Sequence, residues 1–338
     1  MKKVVYTKIG GPYSIEIHDF EPVGLKPNEV MVKVHRAGIN FADLMMRQGL
    51  YGSNPDFPFT PGYEVSGEII ELGEGVERLE VGQRVIVMTG FGGYSEQVVA
   101  STNRVIPIPN SISYDAAATL GVTYGTAYHM LAHLGNMSEG ESVLIHHAAG
   151  GVGTAAVQIC QAYGVTNIIG TASSSKKEFV ESLGMRFVDR DSEDFVRVCK
   201  DATDGKGVHH ALDPVGGKHL MRSYKALRNG GKLYSFGASA AVSGPKRNYF
   251  SAFNMWRNTP KFNPLIMMKS NKAIFGVHMG KMDDSAVFET HMMELAKMLQ
   301  QGKIEPIIDS VWRFEQVADA QQHMHDRKNR GKVLLDFS

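Results

Sequence analysis

Cysteine is scarce: Cys160 and Cys199 are the only two in 338 residues, and neither belongs to a Cys-x-x-Cys pair. Neither a disulfide framework nor a cysteine-rich metal lobe is expected. Charge of one sign is also missing, since 36 Lys and Arg against 35 Asp and Glu leave a net of +1. Such a chain has no general attraction for nucleic acid or an anionic membrane, so any contact of that kind needs a local patch. No apolar run approaches membrane-spanning length, and Met1-Lys2-Lys3 leads directly into a strand pattern. Neither a secretory leader nor a transmembrane anchor is expected, and a reducing cytoplasmic location fits. What is present is apolar material: 43% of the residues are hydrophobic, enough at this length for two domains with separate cores.

The stretch from Ser142 to Gly164 organises the rest. Ser142-Val143-Leu144-Ile145-His146-His147 reads as a strand buried on both faces, followed by the glycine turn Ala148-x-Gly150-x-x-Gly153. Val152, Ala155, Ala156, Ile159 and Cys160 then recur at helical spacing up to Tyr163, with Gly164 just past the end. Strand, glycine turn and helix together present free backbone N–H groups to a pyrophosphate. A second strand, Asn167 to Thr171, should run parallel beside the first. About twenty residues past the fingerprint, where an NAD site places an Asp or Glu on the ribose, no acid is found. Between Glu141 and Glu178 there is no carboxylate, while Ser173, Ser174, Lys176 and Lys177 are available to a phosphate. That composition favours NADPH over NADH.

The first third reads as short strands, Val4 to Thr7, Val30 to His35, Val65 to Leu72 and Gln83 to Met88, separated by Gly and Pro turns in the manner of a β-barrel. One helix, capped by Asn40 and ended by Gly49, interrupts them. Ser113 caps another helix, and a further one is predicted from Thr123 to His133. From Ser142 to about Gly280 strands alternate with helices, adding Gly207 to Asp213, Gly231 to Gly237 and Ala273 to His278, which predicts a doubly wound parallel sheet. A helix carrying Phe288, Met292, Leu295 and Leu299 on one face, a short helix from Phe314 to Met324 and a strand at Lys332 to Asp336 complete the chain.

Ala37-Gly38-Ile39-Asn40-Phe41-Ala42-Asp43, Pro61-Gly62-Tyr63-Glu64, the glycine turn, Asp213-Pro214-Val215-Gly216-Gly217 and Asn329-Arg330-Gly331-Lys332-Val333 are spread along the whole length. On these motifs the chain resembles the medium-chain dehydrogenase/reductase superfamily, in its zinc-free quinone oxidoreductase or ζ-crystallin-like branch. Segments at Asn40 to Met45, Gly244 to Asn248 and Asp309 to Trp312 are similar to the vesicle amine transport protein homologues. The resemblance implies an α/β protein with a GroES-like β-barrel domain, residues 1–122 completed by 281–338, and a Rossmann doubly wound parallel sheet domain, residues 123–280.

It also implies roles. Asn40 and Thr123 would lie beside the nicotinamide, with Phe236-Gly237 and Phe275-Gly276-Val277 at strand ends. Ala149, Gly150, Gly151 and Val152 would hold the pyrophosphate, Ser173 and Lys177 the 2′-phosphate, and Asn329 would reach back from the C-terminal segment. Arg190 stands where quinone oxidoreductases carry a phosphate-site tyrosine, and Met45 where they carry another. Zinc-bearing relatives place a cysteine at Asn40 and a histidine at Tyr63, so no metal is expected. His146-His147 and His209-His210 face opposite ways on strands and do not chelate. Without a Lewis acid the suited acceptor is an apolar, conjugated quinone or enone, with Asn40, Tyr51 and Tyr63 as the candidate catalytic side chains. The basic, aromatic and acid-free segment Lys246–Lys272 reads as a helical lid or dimer surface, or as a patch touching anionic lipid. A homodimer through the edge strand at Ala273 to His278 is expected by resemblance. The alternative to an oxidoreductase is a dinucleotide-binding module that works through lipid or protein contacts.

Overall fold

The computed structural model describes residues 1–282 and 285–338. Strands Arg186–Asp189, Asn167–Ala172, Ser142–His146, Val208–Asp213, Leu227–Ser235 and Ala273–Gly276 form, in that spatial order, a six-stranded sheet. Every neighbouring pair in it is parallel. Alternation explains its burial on both sides: Val143 and Ile145 enter one core cluster and Leu144 another. Each such fully buried aliphatic side chain contributes about 1.5–3 kcal/mol. The strand order reverses beside Ser142–His146, which opens a crevice at the C-terminal ends of the strands.

The second sheet has seven strands, with Glu29–Ile39 and Glu64–Leu72 at its centre. Lys332–Asp336 joins it antiparallel to Glu29–Ile39, pairing Val333 with Ile39 and Leu335 with Ala37. Ile308–Arg313, a strand the sequence reading did not anticipate, runs parallel outside it. The strands from 29 to 107 therefore share one sheet with the last two of the chain, while Lys2–Tyr6 pairs with Ile15–Asp19 in a separate two-stranded sheet. Gly331 also touches the other lobe directly, its N–H donating to the Ala149 carbonyl at 2.9 Å.

One expectation needs correction. The two helices predicted at 113–118 and 123–133 are one continuous helix over 114–134, with widened, π-type turns at Leu120–Tyr124 and His129–Leu134. Gly121 and Gly125 do not break it because they serve close packing. A Cβ at Gly121 would lie 2.6 Å from Met88 Sδ, and one at Gly125 would lie 3.2 Å from Met292. Segment 246–272 is helical, at Tyr249–Arg257 and Pro264–Met268, with Pro264 in the first turn. None of its residues lines the cleft, so the lid reading does not hold; only the lead-in Val242–Gly244 reaches it.

Candidate active site

The glycine turn owes its shape to two close approaches. A Cβ at Gly153 would lie 2.5 Å from the Ala148 carbonyl oxygen, so glycine is required where the helix packs against its own turn. Alanine is tolerated at 148 because Gly170 on the adjacent strand leaves room, a Cβ there meeting the Ala148 methyl at 2.9 Å. Gly150 precedes the helix Gly151–Ala162, whose first N–H groups face a cavity of about 970 Å³ between the lobes. Ala149, Gly150, Gly151 and Val152 all line it.

At one end of this cavity cations accumulate. Ser173, Lys176, Arg190, Arg327 and Asn329 line it, and a side pocket of about 400 Å³ adds Lys328 and Arg330. Lys176 Nζ donates to the Asn329 carbonyl at 2.5 Å. Burial, opposed by Asp309 and reinforced by Arg190, Arg330 and Arg327, lowers the Lys176 pKa to about 8. His147, at a left-handed φ of 53°, lies nearby, and burial together with Arg327 and Arg190 holds its pKa down to about 4. Repulsion among the cations here would be relieved by an anion.

The other end is aromatic and apolar. Tyr51, Tyr63, Met45, Met88 and Phe288 line it. Tyr51 Oη and His278 Nε2 are hydrogen-bonded at 2.9 Å. Burial raises the pKa of both tyrosines, and the Tyr51 hydroxyl raises that of Tyr63 further, so both stay protonated at neutral pH. Between this end and the turn sits a buried network. Lys332 Nζ donates to Asn40 Oδ1 at 2.7 Å and to Glu64 Oε1 at 2.6 Å, and the Val122 N–H donates to Glu64 Oε2 at 2.7 Å. Asn40 also caps the helix Phe41–Arg47 in a reciprocal box with Asp43. An ammonium thus occupies the place between Asn40 and Glu64, and the donor set Asn40, Tyr63 and Lys332 does not suit zinc.

Most of the expected residues meet here. Asn40, Tyr51, Tyr63 and Thr123 line the cavity, as do Phe236, Gly237 and Val277. Two do not. Lys177 is exposed and faces Glu181 at 3.9 Å, because the short 3₁₀ turn Ser174–Lys176 rotates Lys176 inward instead. Phe275 stacks on Tyr234 at 5.5 Å and belongs to the core. Sequence reasoning missed Arg327, His278 and Lys332; the basic run Arg327-Lys328-Asn329-Arg330 was the one local signal for the first.

A parallel sheet with its crevice at the strand ends, closed by a lobe built from both chain ends, defines a two-domain dinucleotide-dependent oxidoreductase. Residues 26–110 match the alcohol dehydrogenase GroES-like domain and residues 151–298 the zinc-binding dehydrogenase family. The human synaptic vesicle membrane protein VAT-1 homolog is 38% identical over 99% of this chain and 86% of its own length. The crystal structure of the human VAT-1 homolog-like protein superposes with a TM-score of 0.86 at 30% identity, covering 99% of this chain and 98% of that one. Escherichia coli quinone oxidoreductase, solved with NADPH, gives 0.87 at 26% identity over 99% and 100%. The chain belongs to the medium-chain dehydrogenase/reductase superfamily, in the zinc-free quinone oxidoreductase branch near the VAT-1 homologues.

Proposed function

We propose that this protein is a zinc-independent, NADPH-dependent oxidoreductase that delivers hydride to quinones or α,β-unsaturated carbonyl compounds. The observation that carries the reading is a single cavity with cations in excess of acids at one end and an aromatic wall at the other. NADPH, when bound, supplies the hydride. Ser173, Lys176, Arg190 and Arg327 would hold its 2′-phosphate, and the N–H groups of Gly150, Gly151 and Val152 its pyrophosphate. Thr123, Asn40, Gly237 and Val277 would border the nicotinamide. The Thr123 hydroxyl already donates to the Thr119 carbonyl at 2.6 Å, so it serves as an oriented acceptor. Tyr51, kept protonated by burial, would meet charge developing on the acceptor oxygen, with exposed His278 behind it as a proton relay to solvent. A homodimer through the half-exposed edge strand Ala273–Gly276, in the cytoplasm, completes the reading.

NADPH oxidation against a panel of quinones and enones tests it. Turnover of several conjugated acceptors and none of simple, unconjugated ketones is expected; coenzyme binding without turnover of any acceptor contradicts it. The second reading, a dinucleotide-binding module working through lipid, is favoured by one surface. Phe250 is 77% and Trp256 70% exposed on a helix bordered by Arg247, Arg257 and Lys261, in a segment without an acid. Co-sedimentation with anionic vesicles, abolished by charge reversal at those three positions, would support that second reading.

A further inference from the structure

His129 and His133 sit four residues apart on the last widened turn of the helix over 114–134, and the helix Ser285–Gln300 brings His291 against them. One ring nitrogen from each lies within 4.8 Å of the others. The ring centres stand 5.2, 5.3 and 5.0 Å apart. Metal–nitrogen bonds of about 2.1 Å meeting at a tetrahedral angle place three imidazole centres about 5 Å apart, so the rings already have the spacing of a centre. Bonds of that length set the nitrogens about 3.4 Å apart, so they need to close by up to about 1.4 Å, part of which the exposed His133 side chain can supply.

The second observation is chemical. His291 is 1% exposed, yet among the described residues neither of its ring nitrogens has a hydrogen-bond partner, and the buried Nδ1 of His129 has none either. Buried polar nitrogens are rarely left so. Burial, with the neighbouring His129 and His133, holds the His291 pKa down to about 4, and burial with His133 lowers that of His129. A second cluster in the molecule, His146, Asp213 and His219, shows the contrast. There His146 is bonded to Thr171 and Ser223, and Asp213 accepts from Val215, Gly216 and Ser223 and pairs with His219, so its ligand atoms are already engaged.

We propose that His129, His133 and His291 form a binding site for a divalent first-row transition metal, of which zinc is the fitting probe. Three imidazoles without thiolate or carboxylate select that class over magnesium or calcium. His133 leaves the site open to solvent, with room for water as a fourth ligand. None of the three histidines lines the coenzyme cavity. The site would brace the helix that presents Val122, Thr123 and Thr126 to the cavity against the one that presents Phe288.

The test is competition for Zn²⁺ against a chromophoric chelator on the purified, metal-stripped full chain, with thermal unfolding followed in parallel. One equivalent of zinc should bind and raise the unfolding midpoint, and Co²⁺ should give the visible bands of a tetrahedral site. His291→Ala should weaken binding at least about tenfold, and so should His133→Ala, whose exposed position leaves folding intact. NADPH affinity should be unchanged in His133→Ala. Failure to bind one equivalent, or equal zinc affinity in wild type and both variants, overturns the proposal.

Discussion

At its basic end the cleft leaves positive charge over, whereas at its aromatic end the buried cation Lys332 is fully used. Among the described residues Lys176 and Arg327 form no ion pair, and Arg190 pairs only with exposed Asp191 at 3.3 Å. Lys332, by contrast, is locked between Asn40 and Glu64 with both members of the ion pair nearly inaccessible. The first arrangement is unstable by itself and waits for an anion; the second is complete and can only hold shape. Binding and architecture are thus separated along one cavity, and substitutions at the two ends should fail in different ways.

The largest effect belongs to the acceptor end. Lys332→Met leaves Glu64 buried without its partner and should cost about 3–5 kcal/mol of stability by denaturant unfolding, much of it restored by adding Glu64→Gln. If the single and double variants are equally unstable, the ion pair is not what holds this end together.

Asp43 comes next. Burial raises its pKa to about 6, against hydrogen bonds from the Asn40 N–H and the Tyr94 hydroxyl that favour the carboxylate. Its folded pKa lies above the unfolded one, so the folded state prefers the neutral form, and stability is lost as pH rises from about 4 through 6. Relative to Asp43→Asn, the wild type should lose about 2 kcal/mol between pH 4 and pH 7. A difference that does not change with pH would show that the carboxyl is not titrating in this window.

At the phosphate end the effects are on affinity alone. Lys176→Ala and Arg327→Ala should each weaken NADPH by about tenfold or more while sparing NADH, with no change in folding. Smaller still, Tyr51→Phe should lower turnover of a conjugated acceptor by about tenfold at unchanged NADPH affinity, since water can replace the lost hydroxyl in part. Lys177→Ala should change NADPH affinity less than about twofold, because its ammonium faces solvent and Glu181. A larger loss at Lys177 than at Lys176 would reverse the assignment of the phosphate site.

The comparison also explains what the sequence could and could not disclose. The glycine turn and the strands around it are local: alternation, glycine spacing and the missing acid between Glu141 and Glu178 are all visible within forty residues. At the basic end, which of Lys176 and Lys177 lines the cavity depends on the 3₁₀ turn that precedes their helix, which the sequence does not mark. At the acceptor end, Asn40, Glu64 and Lys332 converge from three remote stretches through sheet pairing, and nothing local marks Lys332 as buried. The single helix over 114–134 was split because glycines that normally weaken helices here permit close packing. The expectation of no metal weighed the scarcity of cysteine, Asn40 and Tyr63 at the zinc-ligand positions of relatives, and the histidine pairs at adjacent strand positions, but not His129 with His133. The four-residue spacing of His129 and His133 was present in the sequence, but His291 reaches them only through the fold.

The measurement closest to the central claim is a fluorescence titration of the purified protein with NADPH and, separately, NADH. The account predicts saturable binding of NADPH at least about tenfold tighter than NADH, the preference lost in the Lys176→Ala, Arg327→Ala double variant. Equal affinity for the two coenzymes, or binding of neither, would contradict it.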